Sequence, residues 1–215
     1  MRNPIASLPE RFPVFPLRGT VLLPRGSLPL NIFEPRYLAM VRDAMQTDQV
    51  IGMIQPRVSE NEQNPPPLYE IGCAGRVSNF QETDDGRFLI TLTGICRFDV
   101  VGELTVDTPY RQIQAGFSRW HGDLEPDTPP DIMRVELLEA LHGYFEQHDI
   151  EADWKAIQNA PLSGLITSLA MICPFETTEK QALLEADTLE RQARLLVALM
   201  QMAIAESSQG SPVIH

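Results

Sequence analysis

The chain has 215 residues, which is enough for one large domain or two small ones with a substantial core. Its formal net charge is −12, and residues 119–215 carry most of the excess, with 16 acidic against 6 basic residues. Because an acidic chain repels phosphate backbones, and no basic run offsets this locally, nucleic acid is disfavoured as a partner.

The first predicted elements are short strands followed by one helix. Residues 12–35 read FPVFPLRGTVLLPRGSLPLNIFEP, in which five prolines separate short apolar runs. Proline lacks an N–H and suits strand ends, edges and turns rather than central strands. Pro35 suits the first position of a helix, and apolar periodicity predicts a helix over residues 35–47. Residues 50–55 are predicted as a strand, and the proline-rich residues 56–67 as an exposed loop.

From residue 70 to residue 117 the apolar pattern changes to period two. Phe88, Ile90 and Leu92 alternate with residues on the opposite face, so they are predicted to point into a core. The dipeptide Asp85-Gly86 predicts a tight hairpin before them. We expect about four antiparallel strands here, which close into a barrel with the earlier strands and so remove exposed sheet edges.

The second half of the chain is predicted to be helical. A helix follows Pro129 and Pro130, and its predicted buried face consists of Ile132, Val135, Leu138, Leu141 and Phe145. Residues 156–175 carry no charge. Polar residues and prolines interrupt them, so they predict a buried helix with a polar lead-in, ended by Pro174, rather than a membrane span.

Two further helix starts are predicted from capping patterns. Thr178 with Gln181 fits a capping box, and Asp187 with Glu190 fits the start of a last helix. Its apolar side includes Leu196. The tail, residues 207–215, is predicted to be flexible.

Three separated segments resemble the amino-terminal substrate-recognition domain of the Lon protease family. The first contains VLLPRG and LPLNIFEPRY within residues 12–37. The second is DGRFLITLTGICRFDVV at residues 85–101, and the third is EKQALLEADTLERQARLL at residues 179–196. Three ordered blocks at the expected spacing make the match specific, and it covers about residues 12–206.

The resemblance implies an α+β fold, in which a PUA-like β pseudobarrel is followed by a small α-helical bundle. We expect the barrel subdomain at residues 12–118 and the helical subdomain at residues 128–206. The implied function is recognition of unfolded or client polypeptides, as an adaptor to a protease complex. The catalytic modules of that family follow this domain, and we expect the chain to lack them.

The sequence contains no motif that predicts catalysis. A phosphate-binding loop and a nucleophile elbow are both absent. The two lysines are Lys155, near a helix start, and Lys180, in a stretch predicted to be acidic and exposed, so neither is expected to have the depressed pKa of a catalytic base. The four histidines lack the clustering of a zinc site, and the three cysteines form no close pair, as is typical of a reducing compartment. We therefore expect no catalytic residue, metal or cofactor, and a cytoplasmic location without a secretory signal.

The candidate binding residues are the aromatics that bracket the junction of the two subdomains, Tyr110, Trp120 and Trp154. Core packing is the ordinary role of such residues, but junctions form clefts and aromatics dominate binding hot spots. We therefore predict a polypeptide-binding groove there, in which acidic helices favour basic or neutral segments. Glu34 and Arg36 at the helix start are interpreted as a structural ion pair or cap, and Asp84-Asp85 as part of a turn.

Two other function classes stay open. One is RNA recognition through the PUA-like barrel, because the first 118 residues are only slightly acidic. The arginines available for that role are Arg18, Arg25, Arg36, Arg76, Arg87 and Arg97. The other is an unrecognised enzyme, which would be indicated by a pocket of converging polar groups with perturbed pKa values.

Overall fold

A computed structural model describes residues 8–59, 62–125 and 132–209. The chain divides into two compact units, Met1–Pro126 and Asp127–His215. The first unit contains the strands and one α-helix, and the second contains only helices among its described residues. The predicted α+β fold is confirmed.

Six strands form the first unit together with helix α1. The strands are β1 (Arg11–Pro16), β2 (Ser27–Ile32), β3 (Val50–Ile54), β4 (Ile71–Glu82), β5 (Phe88–Glu103) and β6 (Gln112–Gly116). Helix α1 covers Pro35–Met45, with proline in its first turn as predicted, and a 3₁₀ helix covers Ser118–Leu124. Pro24 and Pro29 lie between β1 and α1, and because proline lacks an N–H and fixes φ, they prevent a helix from forming over this segment.

Five of the strands close into a ring. Strand β1 pairs parallel with β3 and antiparallel with β6, and β6 pairs back onto the second half of β5. The ring is completed by the antiparallel pairs β3–β4 and β4–β5. The predicted barrel is therefore present. Strand β2 lies outside this ring, and its one partner among the described strands is the first half of β5.

The prediction of about four strands between residues 70 and 117 was wrong, because there are three. Strand β5 has 16 residues and continues without interruption through Gly94. Its register against β4 shifts at this point, where Ala74 pairs with Cys96 and Gly75 pairs with Gly94. A Cβ atom on Gly94 would lie 2.0 Å from the carbonyl oxygen of Leu23, so only glycine permits this close approach.

The core of the barrel contains the residues that the period-two pattern predicted. Phe88, Ile90 and Leu92 are almost fully buried, whereas Leu89 on the opposite face is 39% exposed. Cys73 and Cys96 are buried free thiols. Burial raises the pKa of Cys96 to about 12, so this thiol is protonated at neutral pH and packs as a small apolar group.

The second unit contains five helices among its described residues. They are α2 (Ile132–Gln147), α3 (Trp154–Asn159), α4 (Leu162–Ile172), α5 (Thr177–Glu185) and α6 (Leu189–Gln209). Helix α6 therefore extends three residues into the segment that was predicted as a flexible tail. Pro129 and Pro130, which were predicted to introduce α2, lie outside the described residues. None of the described helices is long and apolar enough to cross a membrane.

The predicted buried face of α2 was mostly wrong, although Leu141 is buried as predicted. Val135 is 60% exposed, and the buried residues are Met133, Leu137, Ala140, Leu141 and Tyr144. Apolar side chains occur on nearly every side of this helix, so the sequence pattern alone did not select the face. Packing against α6 selects it instead.

Three predicted helix boundaries also differ from the structure. Residues 156–175 form the end of α3 and then α4, because Pro161 separates the two helices, and Ile172 is 77% exposed. The capping box of α5 is formed by Glu176 and Glu179, two residues before the predicted pair. Helix α6 begins one residue later than predicted, and Thr188 Oγ1 accepts a hydrogen bond from the Arg191 N–H at 3.1 Å.

Candidate functional site

The first unit has an apolar cavity of about 340 Å³ where β2 meets α1. It is lined by the end of β1, the end of β2, the start of α1 and part of the loop after β3; its residues are Phe15, Pro16, Leu17, Arg18, Leu30, Asn31, Ile32, Phe33, Glu34, Arg36, Tyr37, Pro56, Ser59 and Pro66. Phe33 is 61% exposed and adjoins the other apolar residues of this lining, so it enlarges the exposed apolar surface. We call this site the β2–α1 cavity.

Local structure fixes Phe33 in its exposed position. Strand alternation buries Ile32 and turns Phe33 outward. Glu34 then leaves the strand in an extended conformation, and its carbonyl accepts hydrogen bonds from the N–H groups of the first turn of α1. Glu34 also pairs with Arg36, with 2.9 Å between Oε2 and Nε, so the predicted ion pair is present.

The walls of the cavity are held by buried contacts. The ring of Tyr37 lies 4.3 Å from that of Phe15, and Tyr37 is 5% exposed. Gln55 is fully buried, and its Oε1 accepts a hydrogen bond from the Gly19 N–H at 2.9 Å. Gly19 has a φ of 70°, a conformation that glycine adopts without strain. The cavity is therefore largely pre-formed, as small binding sites usually are.

Tyr110 lies beside this site and is itself buried. Its hydroxyl donates a hydrogen bond to Asp43 Oδ2 at 2.5 Å, and burial with this hydrogen bond raises the pKa of Tyr110 to about 12. Tyr110 lines a small pocket of about 40 Å³ that shares Arg36 and Tyr37 with the β2–α1 cavity. The predicted residue is thus close to the cavity but has only 6% of its surface exposed.

Trp120 is enclosed within the first unit. It is 3% exposed, and the guanidinium groups of Arg97 and Arg119 lie 4.1 and 4.4 Å from its ring centroid. Arg97 forms a buried ion pair with Asp123, in which Nη2 lies 2.6 Å from Oδ1. Among the described residues, Trp120 makes no ring contact with Tyr110, and its Nε1 has no hydrogen-bond partner. In this conformation its ring offers little surface to a ligand.

Trp154 lies in the second unit, where it lines an open cavity of about 310 Å³. Its ring stacks on His142, with centroids 4.8 Å apart, and is 5.7 Å from that of Phe145. Three carboxylates line the same cavity, and they belong to Glu146, Asp149 and Glu151. We call it the Trp154 cavity. A groove between barrel and helices that would unite Trp154 with Tyr110 and Trp120 stays a prediction.

Most of the arginines considered for RNA binding are engaged with protein acceptors. Ion pairs join Arg36 to Glu34, Arg87 to Asp85 and Arg97 to Asp123, and the last pair is buried. Arg76 donates to the Asp48 carbonyl at 3.1 Å, and Arg25 donates to the Glu125 carbonyl. These contacts compete with phosphate binding and weaken the case for an RNA-binding barrel.

The expectation that Lys180 is exposed was wrong. Lys180 is 6% exposed, and burial lowers the pKa of its ammonium group. Its Nζ donates a hydrogen bond to the Met171 carbonyl at 2.8 Å, near the end of α4. A lysine with a lowered pKa is a possible base in principle, but this one caps the C-terminal end of a helix and has no hydroxyl partner among the described hydrogen bonds. The described residues also contain no cluster that could hold a metal ion.

Comparison with known proteins identifies the family of this chain. The family model of the ATP-dependent protease La (LON) substrate-binding domain matches residues 11–202. The chain belongs to this family. The family predicted from the three sequence blocks is therefore confirmed, and the matched module is a substrate-recognition domain.

The curated relatives that match are much longer proteases. Lon protease of Anaeromyxobacter dehalogenans is 33% identical over 204 residues, which is 90% of this chain and 23% of that protein. Lon protease 2 of Myxococcus xanthus is 27% identical over 202 residues, which is 90% of this chain and 24% of that protein. The chain thus spans about a quarter of the length of the curated relatives it matches.

Solved structures show the same fold at low sequence identity. A Lon N-terminal domain protein from Xanthomonas campestris superposes with a TM-score of 0.60 at 24% identity, covering 87% of this chain and 97% of the other. The N-terminal domain of Lon protease from the Mycobacterium avium complex gives a TM-score of 0.61 at 13% identity, covering 89% and 98%. These likenesses establish the architecture, while the binding surface has to be argued from this chain's own residues.

Proposed function

We propose that this chain recognises exposed apolar segments of polypeptides, without catalysis of its own, and acts as an adaptor in a protease context. The β2–α1 cavity carries the proposal, because it is an apolar concave site with a large exposed aromatic at its rim. Membership of a substrate-binding domain family supports the same role, as do relatives that are proteases.

The cavity suits an apolar side chain better than a charged or highly polar ligand. Its volume of about 340 Å³ is at the small end of ligand sites and would hold one or two side chains of a client. Burying one large apolar side chain contributes about 1.5–3 kcal/mol, and ordering an unfolded client opposes binding. Binding should therefore be weak and tolerant of sequence, which suits recognition of many unfolded segments.

Replacing Phe33 by serine should weaken the binding of an unfolded polypeptide about tenfold, because it removes apolar contact at the rim of the cavity. The measurement is fluorescence anisotropy with labelled β-casein as the unfolded probe. Val101→Ser is the matched control, since Val101 is 64% exposed in the same unit but does not line the cavity. Equal affinities of the two variants would exclude the cavity as the binding site, and no binding by wild type would overturn polypeptide recognition.

The Trp154 cavity is proposed as a second contact, which prefers basic client segments. A lysine or arginine side chain over the exposed part of the Trp154 ring would gain a cation–π contact, and the three carboxylates nearby would favour its charge. This extends the predicted role of Trp154 and uses only residues of the second unit.

Wild type should bind a lysine-containing peptide more tightly than the same peptide with glutamate, and Trp154→Ala should reduce that preference about two- to fivefold. Trp154→Phe keeps an aromatic face and should retain most of the preference. The two peptides can be titrated into each variant and followed by calorimetry. A preference that survives unchanged in Trp154→Ala would show that this ring does not contact the client.

A further inference from the structure

Strand β2 has an edge that none of the described strands pairs with. The barrel closes through β1, β3, β4, β5 and β6, and β5 is the one described strand that pairs with β2. Among the described residues, no backbone hydrogen bond outside this ladder involves residues 27–32. An unused edge is a row of N–H and C=O groups that another strand can pair with.

The hydrogen bonds at the start of β2 determine which residues face this open edge. The Gly94 N–H donates to the Gly26 carbonyl at 2.8 Å, so Gly26 faces β5. Along an antiparallel strand, the N–H and C=O groups of every second residue point to the same neighbouring strand. The main-chain groups of Leu28, Leu30 and Ile32 therefore also point toward β5. The main-chain groups of Ser27, Pro29 and Asn31 therefore face outward. Pro29 agrees with this assignment, since proline in a strand occurs where its nitrogen points away from the ladder.

The open edge is continuous with the β2–α1 cavity. Leu30, Asn31, Ile32 and Phe33 all line the cavity, so a strand added beside β2 would run directly to it. Every second side chain of an added strand would stand on the same face as Leu30 and Ile32. An extended segment could thus make main-chain hydrogen bonds and bury apolar side chains at once.

We propose that β2 binds an extended segment of the client by strand addition, with the client main chain paired to Ser27 and Asn31 and alternate apolar side chains in the β2–α1 cavity. This inference rests on the proposed function and specifies how the client is held. Main-chain groups are common to all polypeptides, so this mode gives affinity without requiring a fixed sequence. Pro29 offers no N–H, which keeps the pairing short and limits association of β2 with a second copy of itself.

The decisive variant is Asn31→Pro. It removes one outward N–H but leaves the bonds between β2 and β5 intact. The residue before a proline must be extended, and Leu30 already is, because it lies in β2. Asn31→Ala keeps the N–H and is the matched control. The probe is the ten-residue β-casein peptide that binds wild type best in an overlapping peptide array. Asn31→Pro should weaken its binding about three- to tenfold relative to Asn31→Ala, the effect of one main-chain hydrogen bond.

Peptides methylated on their own amide nitrogens provide the second measurement, and they need only the wild-type protein. One edge of an added strand faces β2, so methylation of one alternate set of amides should abolish binding, while methylation of the other set should leave it nearly unchanged. Equal effects of the two sets, or equal binding by folded Asn31→Pro and Asn31→Ala, would overturn strand addition. If Phe33→Ser still weakens binding in that case, the client enters the cavity in another way and the proposed function stands.

Discussion

Replacing Asp123 by alanine should lower the unfolding free energy of the first unit by about 3–5 kcal/mol. Asp123 is 7% exposed, and it accepts hydrogen bonds from the backbone N–H of Arg97 at 2.8 Å and from its guanidinium group. The substitution leaves the Arg97 guanidinium buried without its carboxylate partner. Removing one partner of a buried, hydrogen-bonded ion pair is among the most costly changes that a single substitution can make.

Urea denaturation of a single-tryptophan protein would measure this loss. The chain has two tryptophans, so a Trp154→Phe background leaves Trp120, which lies against Arg97 and reports on the first unit. Glu103→Ala is the control. It breaks the ion pair between Glu103 and Arg111, and the Glu103 side chain is 44% exposed. Exposed pairs contribute about 0–1 kcal/mol, so equal midpoints for the two variants would contradict the importance of the buried pair.

Local sequence patterns were sufficient to predict the helix starts, turns and strand faces that do not depend on distant contacts. Pro35 marks the start of α1, and the Asp85-Gly86 turn separates β4 from β5 as expected. Strand phase was also predictable at Ile90, because one face of β5 is buried along its whole first half. The face of α2 was not, since apolar side chains surround that helix and tertiary packing selects among them.

The candidate site was less predictable than the fold. Tyr110 and Trp120 are large aromatics, but distant partners determine their burial, and Asp43 lies 67 residues before Tyr110 in the chain. Such pairings cannot be read from local pattern. Phe33 could have been found, because the alternation in β2 that buries Ile32 turns its neighbour outward.

The stability tests and the binding tests use different residues of the first unit, so an effect on folding can be separated from an effect on recognition. Asp123 and Ile90 are buried and contribute to the free energy of folding, whereas Phe33 and Asn31 are exposed and line the β2–α1 cavity. A variant that loses binding while keeping its urea midpoint therefore reports on recognition. A variant that loses both reports on the fold.

Replacing Ile90 by alanine should lower the unfolding free energy of the first unit by about 2–5 kcal/mol, through lost burial and the cavity that remains. Ile90 is 2% exposed and pairs with Phe80 on β4 and with Leu30 on β2, so its side chain supports the strand that carries the β2–α1 cavity. Thr91→Ala tests the neighbouring position on the partly exposed face of β5 and should cost much less. Urea denaturation in the Trp154→Phe background measures the loss of unfolding free energy for both variants. If Thr91→Ala is as destabilised as Ile90→Ala, the assignment of buried and exposed faces of β5 is wrong. Because β5 is the described strand that holds β2 in place, Ile90→Ala should also weaken binding of the β-casein probe.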